Sequence, residues 1–242
     1  AIVCGASKGI GAATAQMLAK AGAKITAVSR NPHELITTLS GSGHTAVSLD
    51  LENQDSIAEF ISSIEECHIL INNAAGPPGG PLLDNEIVDF EAPFKRHLHA
   101  AHTLVRGLAP KMEVAGMGRI VNIISTSVRE PIPNIGLSNT LRGAMASWSK
   151  SLSSELPSCI TINNVLPGFT DTDRLGSLAA SINQRTGKSV EDVHAGWMSQ
   201  VPIGRLINPL ETGAAIAYLC MPIAGGIRGV SLAVDGGRMR SI

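Results

Sequence analysis

Short β-branched or apolar runs alternate along this chain with longer stretches whose apolar residues recur every three to four positions. The runs predict strands at 2–4, 24–28, 45–49, 69–72, 120–124, 161–165 and 231–234. The longer stretches predict amphipathic helices at 10–21, 56–64, 90–114, 137–156 and 210–220. Strands that alternate with helices imply βαβ units and a mostly parallel, seven-stranded sheet, with right-handed crossovers placing helices on both faces. Neither an internal repeat nor a linker interrupts the pattern, so residues 1–242 are expected to form one α/β domain. A loop rich in Gly and Pro follows the fourth strand at 76–81. Residues 170–200 break the alternation, and a long insert there reads as a lid over a ligand site.

Composition narrows the classes. Hydrophobic residues make up 44% and charged residues 16%, which supports a large core and argues against disorder. The net charge of -1 lacks the basic excess of a nucleic-acid binder. The apolar runs fall short of the roughly 18 residues of a membrane span. The start carries no basic segment followed by an apolar stretch, so a signal peptide is not expected. Ala1 enters an apolar strand at once, which suggests that native residues precede it. Cys4, Cys67, Cys159 and Cys220 are scattered through apolar segments and read as reduced, core-filling thiols of a cytoplasmic protein. Without a Cys-x-x-Cys spacing, no metal site is expected.

The first predicted strand runs into Gly5-Ala6-Ser7-Lys8-Gly9-Ile10-Gly11, and a helix follows. Gly5 permits a tight turn, Gly9 lets backbone N–H groups approach a pyrophosphate, and Gly11 allows close helix–strand packing. Between a strand and a helix, this loop points to a dinucleotide phosphate in a Rossmann-type, doubly wound domain. The second strand leads into Ser29-Arg30, where NAD-binding domains carry an acid for the ribose 2′-OH. Arg30 and Lys8 suit the extra 2′-phosphate of NADP(H) instead.

Taken together, these motifs resemble the short-chain dehydrogenase/reductases, most of all their 3-oxoacyl-carrier-protein reductase branch, nearly end to end. The resemblance aligns the family's Thr-Gly-x-x-x-Gly-x-Gly with Cys4–Gly11, and its adenine contact with Asp50 and Leu51. It aligns Asn-Asn-Ala-Gly with Asn72, Asn73, Ala74 and Ala75, with Gly76 one residue late. Pro167-Gly168 and, four residues on, Thr172 match the segment that faces the nicotinamide carboxamide, and Val234–Gly237 matches the closing Val-Asp-Gly-Gly. The family's implied cofactor contacts are therefore Gly5, Ser7, Lys8, Gly9, Ile10, Gly11, Arg30, Asp50, Leu51, Asn73, Ala74, Arg142, Pro167, Gly168 and Thr172. The resemblance also implies a homo-oligomer, a tetramer. Helices 90–114 and 137–156 would meet a second subunit, and the last helix and strand would pair across another axis. Leu98, Val105, Leu108, Leu141, Met145, Trp148 and Leu152 are more apolar positions than one buried stripe needs.

The family's catalytic Asn, Ser, Tyr and Lys align differently. Ser125 keeps the Ser, but the Tyr thirteen residues later falls on Ser138, the Lys four beyond it on Arg142, and the Asn on His97. The chain's one tyrosine, Tyr218, sits in an apolar helix and reads as core. A Tyr hydroxyl whose pKa is lowered by an ammonium can protonate an alkoxide, whereas a serine hydroxyl is far less acidic. The expected set is then Ser125 and Ser138 as hydrogen-bond donors, Arg142 on the ribose, and as proton carrier either His97, titrating near pH 6–7, or a water chain. His97 as a core histidine is the competing reading. His99 and His102, three residues apart, read as a solvated or subunit-contact face rather than metal ligands. Arg129 and Asn139 are close enough in sequence to reach the site, and Glu65-Glu66 reads as a solvated helix end.

The expected function is an NADP(H)-dependent oxidoreductase for a small carbonyl or alcohol substrate. Two other classes use the same cleft: an NADP-binding protein without turnover, acting as a sensor or partner subunit, and a non-redox lyase or hydrolase with His97 as base. Leu175, Leu178, Ile182, Val193, Trp197 and Met198 in the 170–200 segment would serve either a partly apolar substrate or the packing of a lid.

Overall fold

The computed structural model describes residues 1–241; Ile242, the last residue of the expected 1–242 unit, lies outside them. Seven strands form one sheet: β1 (Ile2–Cys4), β2 (Thr26–Ser29), β3 (Thr45–Ser48), β4 (Ile69–Asn72), β5 (Gly118–Ile123), β6 (Ile160–Pro167) and β7 (Ser231–Val234). Their order is β3-β2-β1-β4-β5-β6-β7, and every pairing is parallel. The order reverses between β1 and β4, which opens a crevice beyond their carboxyl ends.

Period-two patterning decides which side chains face which helices. Val3, Ala27, Ile71, Val121 and Val165 meet α1 (Gly9–Lys20) and α9 (Pro209–Cys220). Ile2, Val28, Leu70, Ile120 and Ile162 pack on the opposite side, toward α3 (Gln54–Ser63) and α5 (Ala100–Val114). The α6 helix (Gly136–Glu155) adds Trp148 and Leu152 to that second layer. These two cores make a single doubly wound α/β domain with helices on both faces.

On the α5 side, β4 to β7 carry a row of buried amides. Asn72 Nδ2 donates to Asn122 Oδ1 at 2.8 Å, Asn122 Nδ2 to Asn164 Oδ1 at 3.0 Å, and Asn164 Nδ2 to Ser231 Oγ at 3.2 Å. The four residues are register partners, so a slip of one residue would break every link.

The predicted helix 90–114 begins earlier and is not uniform. A helix α4 (Ile87–Phe94) passes through a π turn at Lys95–His99 into α5. Pro93 lacks an N–H and crowds the carbonyl four residues back, which favours a wider turn just after it. The sequence pattern also missed α2 (His33–Ile36), a single turn.

Residues 170–200 fold into two helices, α7 (Asp173–Thr186) and α8 (Val190–Met198). Leu175, Leu178, Ile182, Val193, Trp197 and Met198 join Phe169 in a small core of their own. Their apolar character is therefore spent on packing this segment.

Two sequence expectations change here. Val105, Leu108, Leu141 and Met145 are buried within the one chain, so they carry no argument for a second subunit. Tyr218 is not core: it is half exposed on α9. Cys4, Cys67 and Cys220 are free and buried, and Cys159 is free and half-buried.

Candidate active site

The glycine loop leaves β1 at the crevice. Gly5 and Gly9 have φ of +59° and +58°, a region that strains any residue with a Cβ. At Gly11 a Cβ would lie 2.1 Å from the Gly5 carbonyl oxygen. Asn73, just past β4, fixes the turn from the other side, its Nδ2 donating to the carbonyls of Cys4 and Gly5 at 3.3 and 3.2 Å. The N-cap of α1, Lys8, makes no side-chain cap bond, so the first N–H groups of α1 are left for a ligand. Ser7 and Lys8 are exposed, and Ile10 is half-buried at the start of α1.

Arg30, after β2, is exposed, and so is Asp50 after β3, with Leu51 half-buried behind it. Asp50 Oδ1 accepts from the Glu52 N–H at 3.0 Å, which holds that turn. Across the crevice, Thr172 caps the start of α7, and its Cγ2 would lie 3.4 Å from a Cβ on Gly9. Lys8 Nζ pairs with Asp173 at 3.3 Å, both side chains largely exposed. A cavity of about 350 Å³ opens between Lys8, Gly9, Gln16, Thr172, Asp173 and Asn208. Gly168 has no room for a side chain, since its Cβ would sit 2.7 Å from the Cα of Asp235.

The second half of the crevice lies over β4, β5 and β6. Ser125 follows β5 half-buried, its Oγ accepting from the Ser127 N–H at 3.0 Å. That bond leaves the hydroxyl hydrogen free to donate. Ser138, in the first turn of α6, is half-buried, and its hydroxyl makes no hydrogen bond to a protein group among the described residues. One turn on, Arg142 is buried and its Nη1 donates to the Ile123 carbonyl at 2.9 Å.

His97 comes from the π turn and meets Arg142. Its Nε2 lies 3.0 Å from the Ala75 carbonyl, which can only accept, so Nε2 carries the proton. Nδ1 then presents its lone pair to Arg142 Nη1 at 3.5 Å. Burial first, and the Arg142 and Arg96 charges besides, hold the His97 pKa well below 6.5, against the opposing pull of the Ala75 carbonyl. The expected titration near pH 6–7 is therefore corrected: His97 is neutral at neutral pH. Burial and the charge of Arg174 bring Arg142 down to about 10.

Other expectations sort simply. Arg129 Nη2 donates to the Ser231 carbonyl and Asn139 Nδ2 to the Ile132 carbonyl, so both are engaged in holding backbone. Burial keeps the Cys4 thiol neutral, its pKa pushed up to about 12. Sequence reasoning missed Arg96 and Arg174. Arg96 bonds Glu52 and, with His97, the Ala75 carbonyl. Arg174 donates to the Pro77 carbonyl. The available signal for Arg174 was its place two residues after Thr172 in the Pro167-Gly168 segment.

Comparison with known proteins fits this geometry. A family model described as enoyl-(acyl carrier protein) reductase matches residues 5–238. The chain belongs to this family, the short-chain dehydrogenase/reductases. It is 32% identical to the 3-oxoacyl-[acyl-carrier-protein] reductase FabG of Vibrio cholerae, over 98% of this chain and 96% of that protein. Among solved structures it is similar to YwfH, an NADPH dependent reductase involved in bacilysin biosynthesis. There the TM-score is 0.91 and the identity 28%, over 100% of this chain and 98% of that one. The L-sorbose reductase of Gluconobacter frateurii, solved with NADPH and L-sorbose, gives a TM-score of 0.91 at 26% identity, over 100% and 96%. As a short-chain dehydrogenase/reductase, the chain is of an oxidoreductase family. The described reactions of these relatives differ, so membership alone does not choose a substrate.

Proposed function

We propose that this protein is an NADP(H)-dependent oxidoreductase acting on the carbonyl or alcohol group of a small substrate through an atypical catalytic set. One observation carries the reading: the glycine turn at the β1/β4 switch point, shaped by positive φ and tied by Asn73, leaves the uncapped start of α1 for a pyrophosphate. Gly5, Ser7, Gly9, Ile10 and Gly11 would hold the pyrophosphate, and Arg30 with Lys8 the 2′-phosphate. The Lys8–Asp173 pair is exposed, so little opposes Lys8 leaving it. Asp50 and Leu51 would line the adenine. Asn73, Ala74, Pro167, Gly168 and Thr172 would line the nicotinamide side, with Arg142 at its ribose. The bound cofactor supplies hydride equivalents; the residues supply placement and charge.

In this reading Ser125 donates its free hydroxyl hydrogen to the substrate oxygen and Ser138 offers a second bond. The Arg142 cation, held at the ribose, adds positive potential to this end of the crevice. His97, neutral and bonded to Ala75, positions Arg142 and delivers no proton as an imidazolium, so the proton comes from water. Losing a tuned general acid costs roughly 10²–10⁴-fold, while orientation retains much of the rest. The same features weaken the non-redox reading, because a base facing a guanidinium at Nδ1 is a poor one. They favour, as a second reading, an NADP-binding protein without turnover.

The reading extends to a homotetramer in a reducing, cytoplasmic compartment, which the four free thiols support. No helix among the described residues is long and apolar enough to cross a membrane. Dissociation constants for NADPH and NADH, followed by nicotinamide absorbance with a panel of ketones, aldehydes and alcohols, test the proposal. Tighter NADPH binding with turnover is expected. Equal affinities would refute the cofactor, and binding without any turnover would leave the second reading standing.

A further inference from the structure

The loop after β4 brings two guanidinium groups together. A Cβ on Gly76 would lie 3.5 Å from Arg142 Nη2 and 3.8 Å from Arg174 Nη2. Arg142 projects from α6 and Arg174 from the first turn of α7, so separate elements converge on one backbone position. Arg142 is only 9% exposed. Among the described residues, neither arginine pairs with an acid: the ion pairs are Lys8–Asp173, His68–Glu66, Lys95–Glu91, Arg96–Glu52 and Arg205–Glu211. Asp173, the acid next to Arg174 in the chain, is turned to Lys8.

A buried cation without a counter-ion is costly, and a second cation beside it adds repulsion. Among the described residues, the protein groups that meet the pair carry no negative charge. Arg142 Nη1 is taken by the Ile123 carbonyl and the neutral His97, and Arg174 Nη2 by the Pro77 carbonyl. Each guanidinium has five N–H donors, so most remain for a ligand. The start of α7 adds its own partial positive charge on the same side. Both forks suit a planar, two-oxygen anion.

We infer that the substrate carries a carboxylate held between Arg142 and Arg174, so that the enzyme reduces an oxo acid to a hydroxy acid. This rests on the oxidoreductase reading and names its substrate class. The cofactor does not meet the need for charge, because the ribose it brings to Arg142 offers only neutral hydroxyls. Its phosphates belong to the glycine loop and Arg30 on the β1–β3 side, and its oxidised nicotinamide is itself a cation. In the reaction, NADPH is oxidised to NADP⁺, the carbonyl carbon gains hydride, and the carbonyl oxygen takes one proton from water.

The test compares acids with their neutral esters. Phenylpyruvate and levulinate are assayed against their methyl esters by NADPH oxidation. Calorimetry then measures 3-phenylpropanoate, which has the anion but no carbonyl, binding to NADP⁺-saturated protein. The acids should exceed the esters in kcat/KM by about tenfold to a hundredfold, the range of a charge-assisted hydrogen bond. Arg174→Gln keeps a donor for Pro77 and should remove that preference and the 3-phenylpropanoate binding; Arg174→Lys should restore part of both. Equal turnover of acids and esters would overturn the inference and leave the oxidoreductase reading intact. No turnover of any carbonyl, with Arg174-dependent binding of 3-phenylpropanoate, would support the anion site and defeat the oxidoreductase reading. Neither turnover nor binding would overturn the inference. An Arg174→Gln variant that loses NADPH affinity as strongly as acid affinity would also overturn it, assigning the pair to the cofactor.

Discussion

The two ends of the crevice are built on different principles. At the β1–β3 end, backbone does the work: two glycines at positive φ, a third with a carbonyl where its Cβ would be, and one asparagine bridging β4 to the turn. At the β4–β6 end, side-chain charge does it: Arg142 buried with no acid paired to it among the described residues, a neutral His97 against it, and Arg174 converging from α7. A backbone cradle tolerates almost no substitution, whereas a charged cluster can be rewritten while the scaffold stays. On the proposed reading, in which Ser138 and Arg142 take the places that the family resemblance gives to Tyr and Lys, that difference lets the cofactor loop stay while the charged end changes.

The comparison breaks most sharply at Gly11. Gly11→Val would drive a branched side chain into the Gly5 carbonyl and Asn73. NADPH affinity measured by calorimetry should fall by about a hundredfold, because an overpacking clash of about 1–3 kcal/mol is relieved only by moving the turn that holds the phosphate. Wild-type affinity in that variant would remove the cradle from the account. Arg30→Asp should act less strongly, weakening NADPH about tenfold to a hundredfold with little change for NADH, the span of one charge-assisted contact. Equal losses for both cofactors would mean that Arg30 does not meet the 2′-phosphate.

At the charged end, His97 gives a pH signature. Its folded pKa lies well below the ordinary 6.5, so below about pH 6.5 the unfolded chain takes up a proton that the folded chain refuses. The stabilisation is complete above pH 6.5 and is lost as pH falls, by up to about 1.4 kcal/mol per pH unit until the folded pKa is reached. Denaturant melts of wild type and His97→Asn should diverge in slope across that window. A wild-type stability that rises on acidification from pH 6.5 to 5, relative to the variant, would contradict the buried, neutral histidine.

How legible the two ends were follows the same division. The strand order and the glycine loop could be read because alternation, Gly spacing and the Pro167-Gly168 and Val234–Gly237 segments are local signals. The two helices of residues 170–200 escaped because their apolar residues pack on each other rather than on the sheet. Val105, Leu108, Leu141 and Met145 counted toward a second contact face because periodicity shows a stripe's width and not which neighbours cover it. Ser125, Ser138, Arg142 and His97 were named from the sequence, but the protonation of His97 could not be read there. His97 is an ordinary histidine in the sequence, and only the fold places it between a carbonyl and a guanidinium. Arg174 gained meaning only once α7 carried it to Gly76 beside Arg142.

The central claim is that a working cofactor end is joined to a proton-transfer end that lacks a tuned acid. The most direct test is the double variant Ser138→Tyr with Arg142→Lys, which supplies a phenol and an ammonium one helical turn apart on α6. NADPH-dependent reduction of simple neutral ketones is measured at saturating NADPH beside the wild type. The account predicts a gain of at least about a hundredfold, the lower bound for restoring a general acid. A double variant that binds NADPH as tightly as the wild type yet gains no ketone reduction would contradict it.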